Sequence, residues 1–152
     1  MAKALEALSV LAGISRDRFV PGAPSYLRAA RTCYDHIAGW LGVALHDRLQ
    51  TLGWLAARAA ERERAYDVTA GGARALEALG IDVSATRKLR RRFAFGCLDW
   101  SERRFHLGGA IGAALLNVAL KRKWVIQELD SRALTVTAAG RREMLARFGL
   151  EV

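Results

Sequence analysis

The chain is short of several things, and each shortage excludes something. Two cysteines in 152 residues are too few for a disulfide framework, so a reducing cytoplasm is the expected compartment. Two prolines in a 52% hydrophobic chain exclude a disordered tail and favour a folded, helix-rich object large enough to bury a real core. No apolar run is long enough to span a membrane. The longest, Leu107 to Leu120, contains Asn117 and ends in Lys121-Arg122-Lys123, which suits a buried helix. There is no glycine-rich phosphate loop, no serine nucleophile motif and no pair of carboxylates in a shared element, so an enzyme is not expected. Acidic residues are also few, 15 against 24 lysines and arginines. The net charge of +9 favours an acidic partner, nucleic acid being the commonest, or else a solvated arginine-rich surface.

What the chain does contain is a repeat. At an offset of 70, His36, Gly39, Gly42, Ala44, Leu45 and Trp54 fall on His106, Gly109, Gly112, Ala114, Leu115 and Trp124. At 68, "VTAGGAR" (68–74) falls on "VTAAGRR" (136–142), and at 64, Cys33 and Asp35 fall on Cys97 and Asp99. The second copy therefore gains six residues before its histidine and later loses two. Each copy reads as a helix (about His36 to Leu52, and Leu107 to Lys121), a β-hairpin beginning at Trp54 or Trp124, and a second helix capped by Thr69 or Thr137. In the first helix Ile37, Trp40, Leu41, Ala44, Leu45, Leu49 and Leu52 share a face, and Gly53 closes it.

Helix, hairpin and helix make the second half of a winged-helix unit. The expected fold is α+β and mostly helical: two degenerate winged-helix-like repeats packed about a pseudo-twofold axis, preceded by an N-terminal helix. Residues 1–25 form that helix and a linker, 26–86 the first repeat, and 87–152 a basic connecting helix with the second. The N-terminal helix carries Leu5, Leu8, Leu11 and Ile14 at helical spacing and lacks a cap, as if the chain began partway into it. An amphipathic helix of this kind needs a partner surface, which predicts a homodimer.

Neither repeat is suited to reading DNA by itself. Only nine residues separate "IAGWLGV" (37–43) from Gly53, too few for a turn and a separate recognition helix. The second helix is apolar nearly all round and therefore buried. Its Gly109 and Gly112, with Gly39 and Gly42 of the first, predict that the two repeat helices cross closely.

The candidate ligand or thiol-sensor residues are Cys33, Asp35 and His36 with Cys97, Asp99 and His106. On a helix Cys33 and His36 would share a face while Asp35 points elsewhere, and nine positions separate Cys97 from His106. That spacing favours packing: buried cysteines, Asp99 as N-cap with Glu102 in a capping box, and histidines at helix starts. No metal is expected on this reading. A divalent ion is the alternative, and a Cys2His2 site would require both copies to converge.

Candidate phosphate contacts are Arg87, Lys88, Arg90, Arg91 and Arg92 of the connecting helix, with Arg62 and Arg64 at the wing tip, although a solvated face is the better explanation of the run. Trp40 and Trp100 lack repeat partners and are candidates to line a pocket or a subunit contact.

"RTCYDHIAGWLGVAL", "CLDWSERRFHLGGAIGAALL" and "SRALTVTAAGR" together resemble the C-terminal half of a group of ArsR-type bacterial transcriptional regulators, over roughly residues 26–148. The resemblance implies a cytoplasmic regulator with an N-terminal winged helix-turn-helix that binds DNA. That domain is absent from this sequence, so DNA binding is implied for a parent protein and placed on no residue here. The region present would be the effector-binding and dimerisation portion, responding to a small molecule or metal. The alternatives are a stand-alone basic nucleic-acid-binding winged-helix protein and a metal or thiol sensor module.

Overall fold

Hairpins, not helix starts, occupy the two places where the Cys-His pattern recurs. The computed structural model describes residues 22–58 and 64–152. The expected N-terminal helix, and the first wing tip with Arg62, lie outside the described residues.

A short helix α1 (Ser25–Ala29) leads into β1 (Arg31–Cys33) and β2 (His36–Ala38). The turn between these strands is only Tyr34-Asp35, with Tyr34 at φ 55°. Helix α2 (Gly39–Thr51), β3 (Leu55–Ala57), β4 (Tyr66–Val68) and α3 (Ala70–Ala78) follow. After a short α4 (Val83–Arg87) the order returns: β5 (Phe95–Leu98), β6 (Phe105–Gly108), α5 (Gly109–Lys121), β7 (Val125–Gln127), β8 (Leu134–Val136) and α6 (Ala138–Phe148). The architecture is α+β, built from helices and small antiparallel hairpins.

The helices predicted from His36 and Leu107 thus begin at Gly39 and Gly109, after one strand each. The cause is local. Gly39 (φ +78°) and Gly109 (φ +86°) turn the chain from strand into helix through a conformation that L side chains rarely adopt. Each lies against backbone of its own copy, Arg28 and Ala29 or Arg92 and Phe93, and not at a helix crossing. The face predicted for α2 also needs correction. Leu41, Leu45 and Leu49 are buried, but Trp40 and Leu52 are exposed, and the buried polar residue is His46.

The β3–β4 and β7–β8 hairpins and the caps that follow them lie where the sequence puts them. Thr69 and Thr137 accept from the amides of Gly72 and Gly140 at 3.0 and 2.9 Å, and donate back to the carbonyls of Gly53 and Lys123, both at 2.7 Å. The basic run departs from expectation: only Arg87 is helical, because α4 stops there and residues 88–91 form a turn and bends.

The two copies are joined crosswise. Helix α2 packs on β6, α5 packs on β2, and β2 meets β6. Strand β1 bonds to the β7–β8 hairpin, with Thr32 N–H to Arg132 O at 2.8 Å and Leu134 N–H to Ala30 O at 3.0 Å. Strand β5 bonds to the β3–β4 hairpin, with Gly96 N–H to Arg64 O at 2.8 Å and Tyr66 N–H to Ala94 O at 3.0 Å. Phe148 lies between Trp54 and Trp124, at ring-centroid separations of 5.8 and 6.5 Å, and closes the far end of the core.

Candidate functional site

In an antiparallel hairpin, directly paired residues put their side chains on one face. Cys33 pairs with His36 across β1–β2, and Cys97 pairs with His106 across β5–β6. Two residues intervene in the first hairpin and eight in the second, so the six-residue gain merely lengthens a turn. The nine-position spacing that argued against ligation is therefore spanned by a hairpin. Because β2 and β6 meet, the two pairs converge, and the ligand atoms of Cys33, His36, Cys97 and His106 all lie within 4.8 Å of one another.

The cluster is enclosed. Cys33, His36 and His106 are buried and Cys97 is half-buried. Glycines let the opposite histidine approach: a Cβ on Gly42 would lie 3.3 Å from the His106 Cβ, and one on Gly112 would lie 3.1 Å from that of His36.

Both imidazoles present the same edge to the centre. His36 Nε2 and His106 Nε2 are 3.2 Å apart. Their Nδ1 atoms face carboxylates, Asp35 Oδ1 at 3.4 Å for His36 and Asp99 Oδ2 at 3.2 Å for His106. The second contact is at ion-pair distance but is not aligned as a hydrogen bond. A proton on each Nδ1 turns both Nε2 lone pairs inward.

Asp99 is not a helix N-cap, and no capping box forms with Glu102. The segment is a hairpin turn, tied by Asp99 N–H to Arg104 O at 2.8 Å. The Asp99 carboxylate instead joins the copies. Oδ1 accepts from Arg31 Nη2 at 2.8 Å and from the Ser101 amide and hydroxyl at 2.9 and 2.8 Å, while Oδ2 accepts from the Gly39 amide at 2.7 Å. Burial opposes its ionisation, but His106, the Arg31 guanidinium and the Gly39 amide outweigh burial and hold the carboxyl well below the usual carboxylate range. Asp35, its counterpart, is half-exposed and pairs with Arg91 at 2.5 Å, which lowers its carboxyl too. Hydrogen bonding to Cys97, and then to His106 and His36, depresses the Cys33 thiol against the effect of burial. Burial works against the His106 imidazolium, yet Asp99 and Cys33 raise it above the ordinary histidine value.

Sequence reasoning missed Arg31. It is 1% exposed and stacks over the Trp100 ring at 4.3 Å, and nothing in an arginine-rich chain marks it out. Trp100 is thus held by a cation, whereas Trp40 stands on the surface at 45% exposure. Neither lines the cavity of about 20 Å³ bordered by Ile37, Gly42, Leu45, Leu49, Leu107, Gly112 and Leu115.

Several of the described basic residues have partners within the chain. Arg87 reaches Asp67 at 2.7 Å and covers Phe93, Arg91 is held by Asp35, Arg92 lies over Phe95 and Arg64 over Phe105. Lys88 and Arg90 are exposed.

The chain is 41% identical over 115 residues to an uncharacterized HTH-type transcriptional regulator, YdfF, of Bacillus subtilis (strain 168). The match covers 76% of this chain and 49% of the relative, so the chain spans about half the length of the curated relative it matches. That relative bears the name of a regulator and not of an enzyme. No family model matches the chain, and no solved structure does either. No helix among the described residues is long and apolar enough to cross a membrane.

Proposed function

We propose that this chain is the effector-sensing and dimerisation portion of a bacterial ArsR-type transcriptional regulator, with DNA read by another part of a longer protein. On this reading it is no enzyme, it works in the cytoplasm, and its two copies are degenerate winged-helix units related by a pseudo-twofold axis. The observation that carries the proposal is the convergence of Cys33, His36, Cys97 and His106 at the seam between the copies. A ligand-responsive element placed there would set how the copies sit on each other, the kind of two-state element a regulator requires. The relative's name and its additional length support the DNA-reading partner domain.

Placing the chain behind a helix-turn-helix domain that cannot dimerise alone tests this. Repression of a reporter operator should return in the fusion, and the chain alone should sediment as a dimer at tens of micromolar, on the order of the affinity of a weak interface. A monomeric chain whose fusion never represses would sink the proposal. The stand-alone nucleic-acid-binding alternative is weakened by the internal partners of Arg64, Arg87, Arg91 and Arg92. It requires the chain alone to bind DNA with an affinity that falls steeply with salt.

A further inference from the structure

We infer that Cys33, His36, Cys97 and His106 together hold one zinc-class divalent cation in a closed tetrahedral S2N2 site bridging the two copies. The inference deepens the regulatory reading, and rests on it only for the claim that this ion is what the regulator senses.

Donor geometry is the first ground. A tetrahedral ion with Zn–N bonds of 2.0–2.1 Å sets its two nitrogens about 3.3 Å apart. His36 Nε2 and His106 Nε2 are 3.2 Å apart. With Zn–S bonds near 2.3 Å, the two sulfurs would be about 3.8 Å apart. All four ligand atoms already fall within 4.8 Å of one another, so they are gathered on the scale that one ion requires.

Orientation is the second. Metal-binding histidines characteristically donate their other N–H to a carboxylate, which fixes the tautomer and makes the ligating nitrogen more basic. Here both Nδ1 atoms face a carboxylate, His36 hydrogen-bonded to Asp35 and His106 at ion-pair distance from Asp99, from hairpins about seventy residues apart in sequence. Two facing Nε2 lone pairs without a proton between them repel, and a cation removes that conflict.

Charge is the third. Two thiolates and two neutral imidazoles around a divalent cation sum to zero. The carboxylates behind them are already balanced by Arg91 and Arg31. An occupied site is therefore neutral in a buried place where net charge is costly. Thiolate and imidazole donors with no oxygen ligand exclude calcium and magnesium. Four protein ligands leave no open position, so the ion would organise the fold and not catalyse.

The test is titration of the reduced chain with Co2+, followed by displacement with Zn2+. A single equivalent of Co2+ should give intense tetrahedral d–d bands and a thiolate-to-cobalt charge-transfer band. Zn2+ should abolish both and protect the two thiols from alkylation. Cys97→Ser, at the half-buried ligand, should lose the charge-transfer intensity of one sulfur and weaken binding about 100-fold or more, beyond the 10–100-fold typical of supporting residues. Asp35→Asn, behind His36 on the exposed side, should weaken binding about 10-fold and keep the tetrahedral spectrum. Absence of stoichiometric binding by the folded wild-type chain overturns the proposal, as does a weak octahedral spectrum or binding unchanged in Cys97→Ser. The readouts are independent: a metal-free chain that still dimerises and represses in the fusion sinks the site alone, whereas a zinc-binding chain that does neither sinks the regulatory reading alone.

Discussion

Arg31 Nη2 lies 2.8 Å from Asp99 Oδ1, and neither side chain is more than 1% exposed. The pair crosses from the first copy to the second, and the same carboxylate also holds the amide that opens α2. Breaking a buried pair from one side strands the other charge. Arg31→Met should therefore cost about 3–5 kcal/mol of unfolding free energy. Asp99→Asn should cost a similar amount, while the double variant should cost less than the sum because no isolated charge remains. Urea unfolding of the three variants measures this, and strict additivity would show that the charges do not interact.

Two glycines with left-handed backbones separate strain from crowding. At Gly109 a Cβ would meet the Arg92 and Phe93 carbonyl oxygens at 2.8 Å, whereas at Gly53 (φ +67°) it would meet nothing within 4 Å. Gly53→Ala should cost only the conformational penalty, about 1 kcal/mol. Gly109→Ala adds overpacking, for about 2–4 kcal/mol in all. Equal losses in thermal unfolding would mean that Gly109 is not confined.

His46 makes stability depend on pH. Its Nε2 lies 3.0 Å from the Tyr66 hydroxyl in a buried pocket. Burial, opposed by Asp47 and aided by His106, Arg64 and Arg104, lowers its pKa to about 4. The unfolded chain binds this proton near 6.5, so stability is complete above that value and declines as pH falls toward 4. The loss from this group is about 3 kcal/mol. His46→Gln keeps a hydrogen-bonding group and removes the titration. Its stability should fall less steeply than wild type between pH 7 and 4, and parallel slopes would contradict the assignment.

Phe148 touches both repeated tryptophans, so Phe148→Ala should cost about 3–5 kcal/mol. Near-ultraviolet circular dichroism should change at the tryptophan bands. A loss under 1 kcal/mol, with those bands unchanged, would show that the three rings do not pack as one cluster.

How far the sequence announced all this varied with the range of the interactions. Thr69, Thr137, the hairpins beginning after Trp54 and Trp124 and the closing Gly53 were legible because caps and turns are decided within a few residues. The starts of α2 and α5 were not. "HIAGWLGVAL" has apolar residues at helical spacing from its first position, and only the pairing of His36 with Cys33 makes the first three residues a strand. Of the six candidate ligands, four are brought together in the structure, an arrangement hidden in the sequence reading by placing them on helices. Once Cys97 and His106 are cross-strand partners, nine positions become one hydrogen-bonded width. Arg31 was invisible, since its role depends on a carboxylate 68 residues away.

The crosswise strand bonds also bear on how the chain is made. Synthesis runs from the N-terminus, and β1 receives its outer neighbours only from Arg132 and Leu134, about a hundred residues later. Until those residues leave the ribosome, the outer edge of the first hairpin has no partner strand, and an open edge invites pairing with other chains. Contacts between distant residues also slow folding, because a long loop must close before they form. Between the making of His36 and of His106 the nascent chain holds half its cysteine–histidine cluster with the other half unmade, a window in which a chaperone or a second nascent copy competes for the same edge.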